Sequence, residues 1–383
     1  FDPDAIAYEM KTPSAPATYA AIHKLREDFD VTLFVLMGDH ATALPDEAMQ
    51  AANVVITGGD WDYGLVHWIA AGHPQGIWHE PTTNDLKTLP TMDRVLCRWQ
   101  DYGKMGNYLF RPGTHGYSAR DCWWRARPTV DGLGNVIPPE QDVLGGCTFC
   151  SWTSTFPNYR RMSVDQFMAD VESAHALGAR EYFDDAGTWA PPGSWFESAV
   201  HRLTVFNGGK RHHRCHMAIG CNDRPGARGR KEYADMAHAG FRFILYGLES
   251  ANLETLQRIN KGQKAEDMRN AAKWASEAGL QPHLTVMFGY PWETRGDAEN
   301  TVRLVAELFN RGWANSMQAT LLMPYPGTAL FAQAETEGWL LTKDWNRYTM
   351  NECILKCPMS HAEVLEKIQD CYKAAVTPRY ILK

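Results

Sequence analysis

From residue 113 onward, short apolar runs alternate with stretches whose apolar residues recur at helical spacing. The runs predict six strands, at His115–Arg120, Arg180–Asp184, His213–Cys221, Phe241–Gly247, His283–Gly289 and Ser316–Met323. Between them, Ser163 caps a helix that runs to about Leu177 and stops at Gly178. Residues Ala265–Ala278 give a second helix, ended by Gly279. Residues Asp297–Asn310 give a third, with Val302, Leu304, Val305 and Leu308 apolar. Strand and helix in alternation imply parallel pairing through crossovers, so the fold class is α/β. Six units predict a partial (β/α)6 barrel; a full eight-stranded barrel is the alternative, but its last two strands are missing from the pattern.

Residues 1–80 have a different rhythm: strand Asp4–Tyr8, helix Ala15–Phe29, strand Val31–Met37, helix Asp46–Ala52 and strand Val54–Thr57. This is an incomplete Rossmann-like α/β unit, read from its middle. Residues 81–112 form a connector bearing Pro and Trp, residues 113–335 the barrel, and residues 336–383 a Trp-rich loop and a helix, Ala362–Ala375, expected to cover an end of the barrel.

The 383 residues, 44% hydrophobic, suit two ordinary cores. A net charge of −7 speaks against a nucleic-acid partner, and the one basic run, Lys210–Arg214, reads as a solvated loop. Nine cysteines, an odd number in a long chain, fit reduced thiols in a cytoplasmic protein better than disulfides. No apolar run is long enough to span a bilayer, and no signal peptide is seen. The chain begins at Phe1 rather than Met, which reads as a fragment or a processed product.

Chemistry concentrates at Cys122, Cys147 and Cys150. Three thiolates on one loop can hold three irons of a 4Fe-4S cluster and leave the fourth iron open to a small ligand. The alternatives are a C-x2-C that binds zinc with ligands elsewhere, or cysteines that are merely buried. Residues 123–146, between the first two cysteines, carry turn signals in Asp131-Gly-Leu-Gly-Asn135, flanked by Pro128 and Pro138-Pro139. They predict an excursion whose ends meet, keeping Cys122 near the other two. Polar or glycine-bearing segments follow each predicted strand, where barrel chemistry collects: the cysteine loop, Asp184–Thr188, Cys221–Arg224, Gly247–Ser250, Gly289–Glu293 and Pro324–Thr328.

Cys147-Thr-Phe-Cys-Ser-Trp152, with Phe149 just before its last cysteine, resembles the end of the C-x3-C-x2-C cluster loop of radical S-adenosylmethionine (SAM) enzymes. It departs from them in placing 24 residues between the first two cysteines, where the family usually has three. Val35-Leu-Met-Gly-Asp-His-Ala-Thr-Ala-Leu-Pro45 resembles the glycine loop of the cobalamin-binding domain that precedes the barrel in many of these enzymes. The resemblance implies Cys122, Cys147 and Cys150 as cluster ligands. It further implies Asp184, Asp185 and Thr188 for the SAM amino group, Arg224 for its carboxylate and Glu249 and Ser250 for the ribose. Phe149, Gly289 and Pro291 would lie near the adenine. For cobalamin it implies Gly38, His40, Thr42, Gly58 and Gly59, with His40 read rather as a loop histidine near the cofactor than as a cobalt ligand. Cys221 reads as a strand-end residue, since a fourth thiolate would block the open iron.

The implied reaction is generation of a 5′-deoxyadenosyl radical and, with cobalamin, methylation of an unactivated carbon of a small-molecule or lipid-like substrate. An external donor such as ferredoxin or flavodoxin would supply the electron. A cobalamin-dependent radical cyclase or rearrangement enzyme is the alternative. A non-catalytic iron-sulfur or zinc redox sensor is the reading from another class. The aromatic residues near strand ends, among them Trp123, Trp124, Trp152, Tyr182, Trp189, Tyr246, Tyr290 and Trp292, suit either a stacking surface or packing between the two domains.

Overall fold

The computed structural model describes residues 3–28, 33–104, 108–156, 158–208 and 214–378. Most of the Lys210–Arg214 run, and the side chain of Cys221, lie outside the described residues.

The N-terminal unit is a four-stranded parallel sheet in sequential order: β1 (Ala5–Glu9), β2 (Leu33–Met37), β3 (Val54–Thr57) and β4 (Gly76–His79). Burial on both faces explains its continuous apolar strands. Phe34 and Leu36 pack with Ile22 on one side, while Val35, Val54 and Ile56 pack with Trp68 on the other. Elements that go beyond the sequence reading include β4, the short helix Asp39–Ala43 and, last, the helix Trp61–Ala70. That helix carries exposed Val66 and Ile69 and an internal glycine, which blur its periodicity. Gly64 is needed there because a Cβ would lie 2.6 Å from Ile56.

The second unit is a six-stranded parallel sheet, with β5 (Gly113–Gly116) at one edge. A two-stranded antiparallel pair, β6 (Ala119–Arg120) and β7 (Arg160–Arg161), stands apart from it. The sheet continues in chain order through β8 (Glu181–Asp184), β9 (His216–Asp223), β10 (Phe241–Glu249), β11 (Gln281–Phe288) and β12 (Ser316–Leu321). This is the partial (β/α)6 barrel expected. The helix after Ser163 has a full capping box with Gln166, as its sequence requires. Outward side chains such as Met217, Ile219, Ile244, Tyr246, Leu284 and Val286 form the main core with the helices.

Two expectations are corrected. The strand predicted at His115–Arg120 is broken: the sheet keeps only Gly113–Gly116, and Ala119–Arg120 pairs with Arg160–Arg161. The break follows from charge. Arg120 is drawn to Asp60 and Asp62 on the N-terminal unit, and the Ser118 N–H donates to Asp184. The C-terminal segment, expected to cap an end of the barrel, instead lines its side. Its helix His361–Ala375 packs on Arg295–Asn310 and on β12, where Tyr372 Oη receives the Ala319 N–H at 3.1 Å. An otherwise free edge is thereby covered.

Candidate functional site

The three cysteines converge. Cys122 and Cys147 are each 8% exposed, and the three thiols lie close enough for their charges to interact. The excursion between them closes on itself as predicted. Val130 and Val136 form an antiparallel bridge, Asp131 ties the turn through Leu133 and Asn135, and the Gly146 N–H donates to Ala126 at 3.0 Å. Asn260 then clamps both ends, its amide donating to the carbonyls of Ala126 (2.7 Å) and Gly146 (2.8 Å).

Burial pushes the Cys122 thiol up, with the Cys147 charge adding to it, and pushes the Cys150 thiol up to about 12. Buried thiols of this kind are protonated at neutral pH and become ligands when a cation replaces the proton. Among the described residues no three His, Cys, Asp or Glu side chains form a site for a single metal ion.

Around the thiols the loops interlock. Thr188 accepts from the Trp123 N–H at 3.2 Å and hydrogen-bonds the Cys122 thiol, so it serves the cysteine loop itself. Gly187 admits the Asp121 backbone, where a Cβ would meet its carbonyl at 2.5 Å. Gly262, at φ +64°, leaves room for the Trp124 ring, whose Nε1 donates to Asn260 at 2.8 Å.

The acidic pair divides. Asp184 is fully buried, accepts from Ser118 and Ala186, and is pushed up to about 6 by burial. Asp185 is exposed and lines a cavity. Arg224 is buried with its guanidinium 4.2 Å from the Trp124 ring centroid, and it donates to the Lys261 carbonyl. Its Nη1 has no partner among the described residues, and neither has the buried Tyr290 Oη beside Cys147. Two orphaned polar atoms next to the thiols suit a polar ligand of the kind SAM would present.

Glu249, held in the left-handed region at φ +58°, forms a buried ion pair with Lys261 at 2.7 Å. Burial alone would lower the Lys261 pKa, but Glu249 and then Cys147 hold it above its ordinary value. Lys261, which sequence reasoning missed, also lies 5.8 Å from the Phe149 ring centroid. Ser250 is turned away from this group: its hydroxyl accepts from Asn252 and faces Thr301. Gly289, at φ +89°, donates its N–H to Glu293, and Pro291 lies in the turn closed by Glu293 N–H to Tyr290. Of the aromatic residues, Tyr182, Trp189, Tyr246 and Tyr290 are buried packing residues, while Trp152 is 37% exposed.

Trp152 faces a cavity of about 580 Å³ between the two units. Glu9, Asp39 and Gly59, at the C-terminal edge of β1, β2 and β3, form one wall; Tyr117, Arg120, Trp152 and Asp185 belong to the other. Of the five residues singled out on the first unit, Gly59 alone is in that lining. The room left by the three glycines is taken by protein. A Cβ would meet the Met10 carbonyl at Gly38 (2.7 Å), the Glu80 carbonyl at Gly58 (2.1 Å) and Phe156 at Gly59 (2.3 Å). Thr42 is bonded to Gly58. Both ring nitrogens of buried His40 are engaged, by Thr12 and by Glu47, each at 3.1 Å.

Known proteins share this fold. Residues 144–305 match the model of the radical SAM superfamily. An uncharacterized methyltransferase of Pyrococcus horikoshii, PH0819, is 23% identical over 379 residues, covering 96% of this chain and 77% of that protein. The radical SAM methyltransferase TsrM from Kitasatospora setae, solved with cobalamin and a [4Fe-4S] cluster, superposes with a TM-score of 0.66 at 14% identity, over 99% of this chain and 81% of that one. The cobalamin-dependent radical SAM enzyme OxsB, solved with aqua-cobalamin and SAM, gives 0.63 at 12% identity, over 93% and 56%. At such identities the solved structures establish a common fold. With the family match at residues 144–305, the chain is a radical SAM enzyme that resembles the cobalamin-dependent radical SAM methyltransferases.

Proposed function

We propose that this chain is a cobalamin-dependent radical SAM methyltransferase acting on an unactivated carbon, organised as residues 1–80 for the corrin, 81–112 as connector, 113–335 as barrel and 336–383 as a flanking extension. The observation that carries the reading is the cavity of about 580 Å³ where the C-terminal edges of both parallel sheets meet, with Trp152 bridging it to Cys150. Ligands of open α/β sheets and of barrels bind at those edges, so one space there can bring two cofactors together.

Cys122, Cys147 and Cys150 would hold the cluster, which with SAM supplies a carbon radical, and a corrin supplies a transferable methyl group. The chain's own part is placement and charge. Arg224, fixed by stacking on Trp124, would present its unpartnered Nη1 to a carboxylate. Glu249, paired with Lys261, would accept from hydroxyls. The aromatic walls Trp61, Trp152 and Phe156 would exclude water beside the corrin.

Among the described residues no helix is long and apolar enough to cross a membrane. The eight cysteines described are all free thiols, which suits a reducing, cytoplasmic setting and an electron donor of the flavodoxin or ferredoxin type. The test is to incubate the reconstituted chain with cob(I)alamin and methyl-labelled SAM. Label appearing in methylcobalamin supports the methyltransferase. SAM cleavage with no methyl transfer to cobalt would favour the cyclase or rearrangement reading.

A further inference from the structure

The excursion between Cys122 and Cys147 carries more than a turn. Its third residue, Arg125, is folded inward, with its side chain only 22% exposed. A guanidinium offers five N–H donors in a planar fork, so one arginine can hold several stretches of chain at once. Here it reaches four acceptors. Nη2 donates to the Asp121 carboxylate and to the Phe156 carbonyl, and Nη1 donates to the Thr153 carbonyl at 2.8 Å and reaches that of Gly145 at 3.4 Å.

These acceptors flank all three thiols. Asp121 immediately precedes Cys122 and sits in the left-handed region at φ +72°, a conformation that persists only where its surroundings fix it. Its fully buried carboxylate has Arg125 as its cation. Gly145 stands two residues before Cys147. Thr153 follows Cys150 by three residues, and its hydroxyl donates to the Cys150 carbonyl at 2.7 Å and also faces that of Cys147 at 3.3 Å. Phe156 ends the short helix Ser151–Thr155 that follows Cys150. The Gly146–Ala126 bond and Asn260 close the neck of the excursion, but neither touches Asp121 or that helix. Arg125 joins both to the neck.

We propose that Arg125 is the positioning residue of the cluster seat: it fixes the three thiols relative to one another, and its loss loosens all three while the barrel stays folded. The inference rests on the proposed function only for the identity of the seat as that of a 4Fe-4S cluster.

The test uses the purified full chain, unaltered and as Arg125→Met and Arg125→Lys. Iodoacetamide labelling of the iron-free chain is followed cysteine by cysteine by mass spectrometry, because buried thiols react at the rate at which their surroundings open. Cys215 and Cys371, both fully buried elsewhere, report on the fold, and exposed Cys97 reports on the reagent. Arg125→Met is expected to speed labelling of Cys122, Cys147 and Cys150 at least tenfold and to leave the other three unchanged. After reconstitution, its iron should pass to a chelator at least tenfold faster. Arg125→Lys, which keeps the charge but not the fork, should show the same pattern to a smaller degree, and it decides the question should Arg125→Met fail to fold. Labelling and iron release unchanged in both variants would overturn the proposal. So would acceleration at Cys215 and Cys371 to the same degree in both, which would assign Arg125 to the overall fold. Failure of the unaltered chain to take up a cluster would strike the radical reading instead, and labelling would still decide the role of Arg125.

Discussion

The side-chain amide of Asn260 lies 2.8 Å from the carbonyl of Gly146, the residue before Cys147, and the same amide reaches Ala126 at the other end of the 24-residue excursion. A cysteine loop stretched so far beyond its usual length closes through its own Gly146–Ala126 bond, and one buried donor clamps both ends from outside. Asn260 sits at φ +50°, a conformation asparagine tolerates better than most residues, which frees the amide for this task.

Asn260→Gly keeps that backbone comfortable and removes only the clamp. Two buried carbonyls lose a donor, at a cost of about 2 kcal/mol. Iron and sulfide retained after anaerobic reconstitution should fall by half or more, with the fold intact by circular dichroism. Unchanged cluster content would show that the excursion closes without Asn260.

Arg224→Lys should weaken SAM binding roughly tenfold, about 1.4 kcal/mol, because an ammonium cannot both stack on Trp124 and offer a fork to a carboxylate. Equilibrium dialysis on the reconstituted chain checks this, and iron content should not change.

The buried carboxyl of Asp60 receives Arg120 and Arg160, each at 2.8 Å, and joins the N-terminal sheet to the barrel. Asp60→Asn leaves Arg160 without a carboxylate and Arg120 with Asp62 alone, and should cost about 3 kcal/mol, seen as a lower Tm and faster proteolysis near residue 60. Burial alone would raise the Asp60 pKa, but the two arginines hold it below the usual value, so its contribution is present above about pH 4 and is lost as pH falls further.

Burial raises Glu293 to about 8, although it accepts from Gly289, and its Oε1 has no partner among the described residues. The folded state therefore binds a proton that the unfolded chain releases near pH 4.5, and stability from this group declines between those values as pH rises. Glu293→Gln removes the dependence. Its Tm should draw ahead of the unaltered chain's between pH 5 and 8, by an amount equivalent to about 3–4 kcal/mol. A constant difference across that range would contradict the assignment.

Much of this was legible in the sequence because it depends on local period and punctuation. The alternation of runs placed six parallel strands, five of them within about three residues at each end and the first broken after Gly116, and Ser163, Gly178 and Gly279 marked helix ends through capping and left-handed stops. The closing of the excursion was legible from Asp131 and its glycines. What escaped depends on distant partners. Arg120 leaves the first strand because Asp60, sixty positions away, attracts it. Lys261 reads as an ordinary charged residue until the fold buries it against Glu249, though the Asn260-Lys-Gly262 turn signal was there to be weighed. Glycines at 38, 58 and 59 marked close approach correctly, but the approaching atoms are protein.

The most direct test of the central claim is anaerobic reconstitution with iron and sulfide, then assay of reductive SAM cleavage in the unaltered chain and in Cys122→Ala and Cys147→Ala. We predict a 4Fe-4S chromophore and release of 5′-deoxyadenosine in the first, and loss of both in each variant. A full cluster and undiminished cleavage in Cys122→Ala would show that the excursion removes this cysteine from the ligand set and would contradict the three-thiol site.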